Sequence, residues 1–291
     1  MALTTRQLLG RVAPHRQGDL EEAHASYAIQ ECVRRACRYS QLARELQSPV
    51  SILARSQSLT VTPSSSNELI RVERIRMAGV PPSSTYQGTW DANSNVPTMA
   101  AASSGNNLQF FIVSVAGTTA VDGVSIWAVG DIIYSNGTAW KRLDRQAYST
   151  VPQSNQPSID TFRNQAQEAT NFPYLWTQEG NTVELYPRLQ CDTAIEVLLS
   201  YIPVGEIDTI PLPAEAEDTI VAGAIAEILA LPGKGQNLKL SLIRESEFKK
   251  GLANLRALAI TGYGGSAYSI PENFSGRQSR LTPFRSTGGW L

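Results

Sequence analysis

Few of the 291 residues are of a type and spacing that could carry out covalent chemistry. There are two histidines, His15 beside Pro14 and His24 on a predicted helix, and three cysteines, Cys32, Cys37 and Cys191. A zinc site needs such ligands clustered, and a Ser-His-Asp triad needs an imidazole aimed at a hydroxyl. Neither assembles from this set. Cys32 and Cys37 lie five residues apart in one predicted helix and face different ways, which argues against a local disulfide and against a metal clip. They read as small buried hydrophobes in a reducing compartment. The run Leu231-Pro232-Gly233-Lys234-Gly235-Gln236 imitates a phosphate loop, but the glycine-to-lysine spacing fails and no strand precedes it, so it reads as an interhelical turn. Glu215, Glu217 and Asp218 could be imagined as the paired acids of glycoside hydrolysis. Crowded into one helical turn, they suit the positive end of a helix dipole instead. Asn136-Gly137-Thr138 fits a glycosylation sequon, and the composition of a hairpin turn already accounts for it. The expectation is a protein that is not an enzyme and has no cofactor and no metal.

Interaction chemistry remains. Beyond Thr261 the chain is rich in glycine and carries Arg277, Arg280 and Arg285 against one acid, Glu272, with Phe284 and the terminal pair Trp290-Leu291. Guanidinium groups and aromatics separated by flexible residues suit an arm that orders on a partner surface. A frayed terminus is the plain alternative. Formal net charge is −1, so no bulk electrostatic argument favours nucleic acid or an anionic membrane. With 42% hydrophobic and 18% charged residues the composition is globular, enough for one large or two modest domains. No apolar run reaches the roughly 20 residues that cross a bilayer, and Met1 to Arg6 lacks the apolar stretch of a signal peptide, so no membrane association is expected and folding in a cytoplasm is the default.

The elements that must position these groups follow from periodicity. Thr4 or Thr5 can cap a short helix through Val12, stopped by Pro14. Asp19-Leu20-Glu21-Glu22 reads as a capping box for a stronger helix with an apolar stripe of Leu20, Ala23, Tyr27, Ile29, Cys32, Val33 and Ala36. Arg34, Arg35 and Arg38 gather in its last turns, where cations complement the dipole. From Val50 the period becomes two, with a break at Pro63 to Asn67, predicting two or three antiparallel strands that end near Met77. Residues 146–167 read as a loop. Alternating strands return at Thr182 to Tyr186, after a Glu179-Gly180-Asn181 turn, and at Ala194 to Tyr201. After Pro213 the chain turns helical. The first helix carries a stripe of Val221, Ala224, Ile225 and Ile228 with Gly223 permitting close approach. The last, Leu238 to Ile260, has Phe248, Leu252, Leu255 and Ala259 on one face and Glu245–Lys249 and Glu247–Lys250 pairs outside.

Residues 86–144 are written in another style. Between Ser84 and Trp140 the only charged residues are Asp91, Asp122 and Asp131. Asp122-Gly123 and Asn136-Gly137 read as hairpin turns, Leu108 to Val115 as a strand, and Asp131 to Tyr134 as the partner of Ala139 to Leu143. Trp90, Trp127 and Trp140 supply a core, or contacts to a fibre. The expected architecture is therefore α+β: a helical bundle packed with a small antiparallel β-platform built from residues 1–82 and 146–265, an all-β domain inserted over 83–145, and an extended C-terminal arm over 266–291.

Two resemblances attach to these residues. The pattern Tyr86-Gln87-Gly88-Thr89-Trp90-Asp91, then Trp127-Ala128-Val129-Gly130-Asp131, then Asn136-Gly137-Thr138-Ala139-Trp140 resembles a small β-module of bacteriophage tail proteins. The flanks resemble the head-to-tail adaptors of tailed phages. Ala28 to Arg35 is similar to the opening of that family, Leu69 to Met77 to its strand, then come Val183 to Pro187 and Ile195 to Pro203, and last Leu212 to Ala226 with Leu229-Ala230-Leu231-Pro232-Gly233 and the long final helix. The order of these stretches carries the likeness. The resemblance implies a structural virion protein, assembled in the bacterial host cytoplasm, that forms a ring of twelve copies of itself under the portal protein. It would pass double-stranded DNA transiently through its channel and offer attachment to tail, nozzle or fibre proteins. It also implies that the arm, with Arg277, Arg280, Phe284, Arg285, Trp290 and Leu291, reaches the portal. The alternative is a tail-fibre or baseplate attachment protein whose tryptophan-bearing module binds a glycan or a fibre. A virion-borne peptidoglycan hydrolase would need two acids facing across a cleft, which nothing in the sequence arranges.

Overall fold

A computed structural model describes residues 3–15, 22–154, 172–173, 175–232 and 236–260. The fold is α+β, with four helices and three sheets among the described residues. Helix α1, Thr5–Val12, starts as its sequence dictates: Thr4 Oγ1 accepts from the Gln7 amide at 3.3 Å, and the Gln7 side chain accepts from the Thr4 amide at 2.9 Å. Helix α2, Glu22–Ser40, buries Ala25, Ala28, Ile29, Cys32, Val33, Ala36, Cys37 and Ser40, an unbroken helical stripe. Ala23 is exposed and Tyr27 is 65% exposed, so the first turns present a different face from the one that the larger side chains suggest. The capping box at Asp19 lies outside the described residues.

Helix α3, Glu217–Ala230, follows a single 3-10 turn and runs through the middle of the helices, buried at every position from Thr219 to Ala226. Two glycines allow this crowding. A Cβ on Gly223 would lie 2.8 Å from both Cys32 Sγ and a Phe248 ring carbon, and one on Gly251 of the last helix would lie 2.3 Å from Thr219 Oγ1. Helix α4, Leu238–Ile260, buries Phe248, Leu255 and Ala259 with Leu252 partly covered. Glu245 pairs with Lys249 at 2.8 Å, whereas Glu247 turns to Arg244 at 2.8 Å rather than to Lys250. The helices share one apolar cluster that also holds Leu3, Leu42, Ala43, Ile207, Ile210 and Leu212.

The strands are β1 (Arg44–Leu46), β2 (Val50–Ile52), β3 (Ser58–Thr60), β4 (Glu68–Met77), β5 (Thr85–Asp91), β6 (Gln109–Val115), β7 (Ile132–Ser135), β8 (Trp140–Leu143), β9 (Ser149–Val151), β10 (Leu175–Glu179), β11 (Thr182–Tyr186) and β12 (Thr193–Ile202). In the first sheet β12 is central: β4 lies along one side of it, β1 and β2 share the other, and β9 extends β4. A second sheet, β10-β11-β3, faces it, and Val72, Ile75, Val197 and Leu199 meet Trp176, Val183 and Leu185 between them.

Two strand expectations change. Residues 146–167 are not all loop, because Ser149–Val151 pairs with the end of β4. The run around β12 does not alternate. It is buried on both faces, since Ile195, Val197 and Leu199 face the second sheet while Ala194 and Glu196 lie beneath other elements.

The third sheet, β5-β6-β7-β8, is parallel between β5 and β6 and antiparallel elsewhere. It comes entirely from residues between Met77 and Ser149, which pair with each other in the first sheet, so the whole segment 78–148 spans a single hairpin connection.

Candidate interaction surfaces

The three tryptophans of the third sheet are 0%, 2% and 3% exposed for Trp90, Trp127 and Trp140. Trp90 and Trp127 meet edge to face with centroids 5.0 Å apart. Every indole N–H is used internally. Trp90 donates to Asn95 Oδ1 at 3.1 Å, Trp127 to the Thr119 carbonyl at 2.8 Å and Trp140 to the Ala100 carbonyl at 2.8 Å. Of the two roles expected for them, this is the core. A glycan-binding platform needs open aromatic faces, and these three do not supply one. The exposed large apolar residues here are aliphatic: Val96, Val115, Ile126 and Val129.

Each of the three aspartates between Ser84 and Trp140 caps backbone. Asp91 accepts from the Asn93 and Ser94 amides at 2.8 and 3.0 Å and from the Ser94 hydroxyl at 2.7 Å. Its carboxyl is held below the ordinary value chiefly by that hydroxyl. Asp122, at φ +47 before Gly123 at φ +86, forms the tight turn between Val121 and Val124 and also accepts from the Trp140 amide at 2.6 Å on the edge strand β8. Asp131, fully buried, accepts from the Ala128 and Arg145 amides and from Arg142 at 2.8 Å.

A clasp joins this sheet to the first one. Glu196 of β12 has a fully buried side chain and takes Arg76 at 3.1 Å on one oxygen and Arg145 on the other. Arg76 lies on β4, ahead of the 78–148 segment, and also donates to the carbonyls of Arg145, Gln146 and Tyr148. Arg145, at the end of that segment, reaches the carbonyls of Val129 and Gln47. Tyr148 donates to the Gly130 carbonyl at 2.9 Å, and burial pushes its hydroxyl pKa up. Apolar contact completes the join, with Phe110, Ile112 and Ile132 against Ala78, Val80, Tyr148 and Ala194. Sequence reasoning passed over this clasp. The available signal was Glu196 itself, a single carboxylate between Ile195 and Val197 in an otherwise apolar run.

Among the helices, Arg11 bridges Glu217 at 2.9 Å and Asp218 at 2.7 Å, so two of the three acids grouped from sequence hold an arginine from within the first turn of α3. Arg11 and Asp218 edge a groove of about 410 Å3 with a floor of Val221, Ala222 and Ile225, and Arg244 and Glu247, paired at 2.8 Å, also line it. On the other flank of α4, Arg35, Arg38, Tyr39, Gln41, Leu252 and Arg256 line a recess of about 490 Å3 with no acid among them. Arg35 pairs with Glu227 at 2.8 Å and lies over the Phe248 ring at 4.8 Å. Burial raises the Glu227 carboxyl pKa despite Arg35, and it pushes the Cys37 thiol up to about 12. The Cys32 thiol rises for the same reason, and all three cysteines are free and buried.

The arm residues Arg277, Arg280, Phe284, Arg285, Trp290 and Leu291 lie outside the described residues. Among the described residues there is no group of three or more His, Cys, Asp or Glu side chains placed to hold a metal, and no helix is long and apolar enough to cross a membrane. His24 is exposed and His15 partly so. No family model matches the chain, and no curated protein matches it.

Proposed function

We propose that the protein is a head-to-tail adaptor of a tailed phage: a virion structural subunit that assembles as a ring of twelve copies under the portal protein, continues the DNA channel and offers attachment to tail, nozzle or fibre proteins. In this reading the helices build the ring wall as a bundle, the first two sheets form the platform toward the tail, and residues 83–145 are an inserted β-domain at the periphery. Residues 266–291 are an arm that climbs onto the portal through Arg277, Arg280, Phe284, Arg285, Trp290 and Leu291.

One observation carries it. The stretches that resemble the adaptor family lie on both sides of residues 83–145, and they meet in space. β12 pairs with β4, β1 and β2, and α3 and α4 share one apolar cluster with α1 and α2. A body assembled from two discontinuous stretches, with a self-contained sheet between them, is what a ring subunit carrying a peripheral module requires. The burial of Trp90, Trp127 and Trp140 favours this over a glycan-binding attachment protein.

Electron microscopy of the protein mixed with purified portal tests the reading. The expected image is a closed ring seated coaxially on the portal, and solitary particles without circular symmetry would overturn it. Deleting residues 277–291 should abolish capture by portal rings while leaving the melting curve of the remaining chain intact. Undiminished capture would remove the arm from the mechanism.

A further inference from the structure

Helix α4 is apolar on two faces. Phe248, Leu255 and Ala259 fill the shared core, yet Leu238, Leu242 and Ile243 point outward and are 49–66% exposed. A helix that is apolar beyond its core-facing stripe belongs inside an assembly. Lys239 and Lys250 lie three helical turns apart, so they share one face at a separation of about 16 Å with Ile243 between them. Neither lysine has an ion-pair partner among the described residues, whereas Lys249 is paired with Glu245 and Arg244 with Glu247. The outward face is therefore an apolar centre bracketed by two cations.

The other flank carries the complement. α1 and α4 each pack on both α2 and α3, and they form two rims of the groove floored by Val221 and Ala222, with Arg11 on one rim and Lys250 on the other. Residues 204–208 run alongside α1, where the Thr5 amide donates to the Asp208 carbonyl at 3.1 Å. This stretch exposes Val204, Glu206 and Asp208, and Ile207 is buried between the two acids, so both carboxylates point outward. Neither acid has an ion-pair partner among the described residues. Two unpaired cations around an apolar centre on one flank thus match two unpaired anions beside an apolar residue on the other. One chain that carries both halves of a complementary pair, too far apart to meet each other, selects a second copy as the occupant. Because the halves differ, the contact runs head to tail and repeats until it closes.

We propose that the outward face of α4 over residues 238–250 is the docking surface for a second copy of this chain, which presents Val204, Glu206 and Asp208 beside its own α1. This names the contact between neighbours in the ring proposed above and rests on that reading.

Sedimentation velocity of the full chain over a concentration series, with electron microscopy of the chain on purified portal, tests it. Reversing Lys239→Glu with Lys250→Glu, or Glu206→Lys with Asp208→Lys, should weaken self-association about tenfold or more with unchanged melting curves, because like charges then meet across the contact. Leu242→Asp should do the same through the apolar centre. A chain carrying all four charge reversals should recover most of the association, which a merely damaged surface would not. Parent rings that survive both reversals and Leu242→Asp, or a fourfold variant no better than the double ones, would overturn this contact and leave the ring reading standing. A parent chain that stays monomeric, alone and on the portal, would overturn both.

Discussion

The third sheet and the rest of the molecule use polar residues for opposite purposes. Within residues 85–143 the three aspartates work at short range, closing turns and capping the edge strand β8, and the indoles fill the space between strands close in sequence. Elsewhere charged groups tie distant stretches together: Arg11 to Glu217, Arg35 to Glu227, Arg76 to Glu196. The first arrangement rests on local contacts, which close at low entropic cost, and the second forms only when both flanks of the chain are present. The difference teaches where cooperativity must be sought, namely at the clasp where the two styles meet.

Trp90→Ala should break the comparison most sharply. Removing a fully buried indole costs about 4 kcal/mol. Fluorescence of Trp127 and Trp140, read in a background with Trp176 and Trp290 replaced by phenylalanine, should then report unfolding at much lower urea than helical circular dichroism does. Coincident transitions would mean that the two regions are one cooperative unit. Glu196→Gln should cost about 3 kcal/mol by leaving Arg76 and Arg145 partly buried without their anion, and it should lower both transitions together. Excising residues 83–144 should leave a body that still folds but is less stable by on the order of 2 kcal/mol, because Ala78, Val80, Tyr148 and Ala194 lose their apolar cover. Calorimetry showing no cooperative melt would make the sheet integral to the body.

Acid gives the smallest and most discriminating effect, because the two regions respond with opposite signs. Asp91 has a depressed folded-state pKa, so its contribution is complete above the unfolded carboxylate pKa and is lost as pH falls through the folded value. Glu227 is raised by burial, so the folded state holds its proton longer, and stability is lost as pH rises from the unfolded value through the folded one. Asp91→Asn should flatten the acid-side slope of the fluorescence transition, and Glu227→Gln should flatten the opposing slope of the helical transition.

Local chemistry was legible in the sequence wherever a residue acts on its neighbours. The Thr4 cap, the limits of Leu238–Ile260, the Asp122-Gly123 turn and the Ile132–Ser135 pairing with Trp140–Leu143 all follow from side chains within a few positions of their targets. What escaped depends on partners far along the chain. The face of α2 at Tyr27 is set by α3, β9 becomes a strand only because β4 offers an edge, and β12 is buried twice because elements from both flanks cover it. The clasp and the arginine recess escaped for the same reason. Glu196 meets Arg76 and Arg145 from far upstream, and Arg256 meets Gln41 across the width of the helices.

Met77 opposite Ser149 fixes the two ends of segment 78–148 one strand spacing apart. Because closing a loop costs only roughly 0.6 kcal/mol more for each doubling of its length, that junction is nearly indifferent to how much chain it carries. A socket of this kind accepts cargo. Replacing the segment with an unrelated compact fold whose termini lie close together, while retaining Arg76, Arg145 and Glu196 to seat it, would re-equip the protein with a different accessory without redesigning its scaffold.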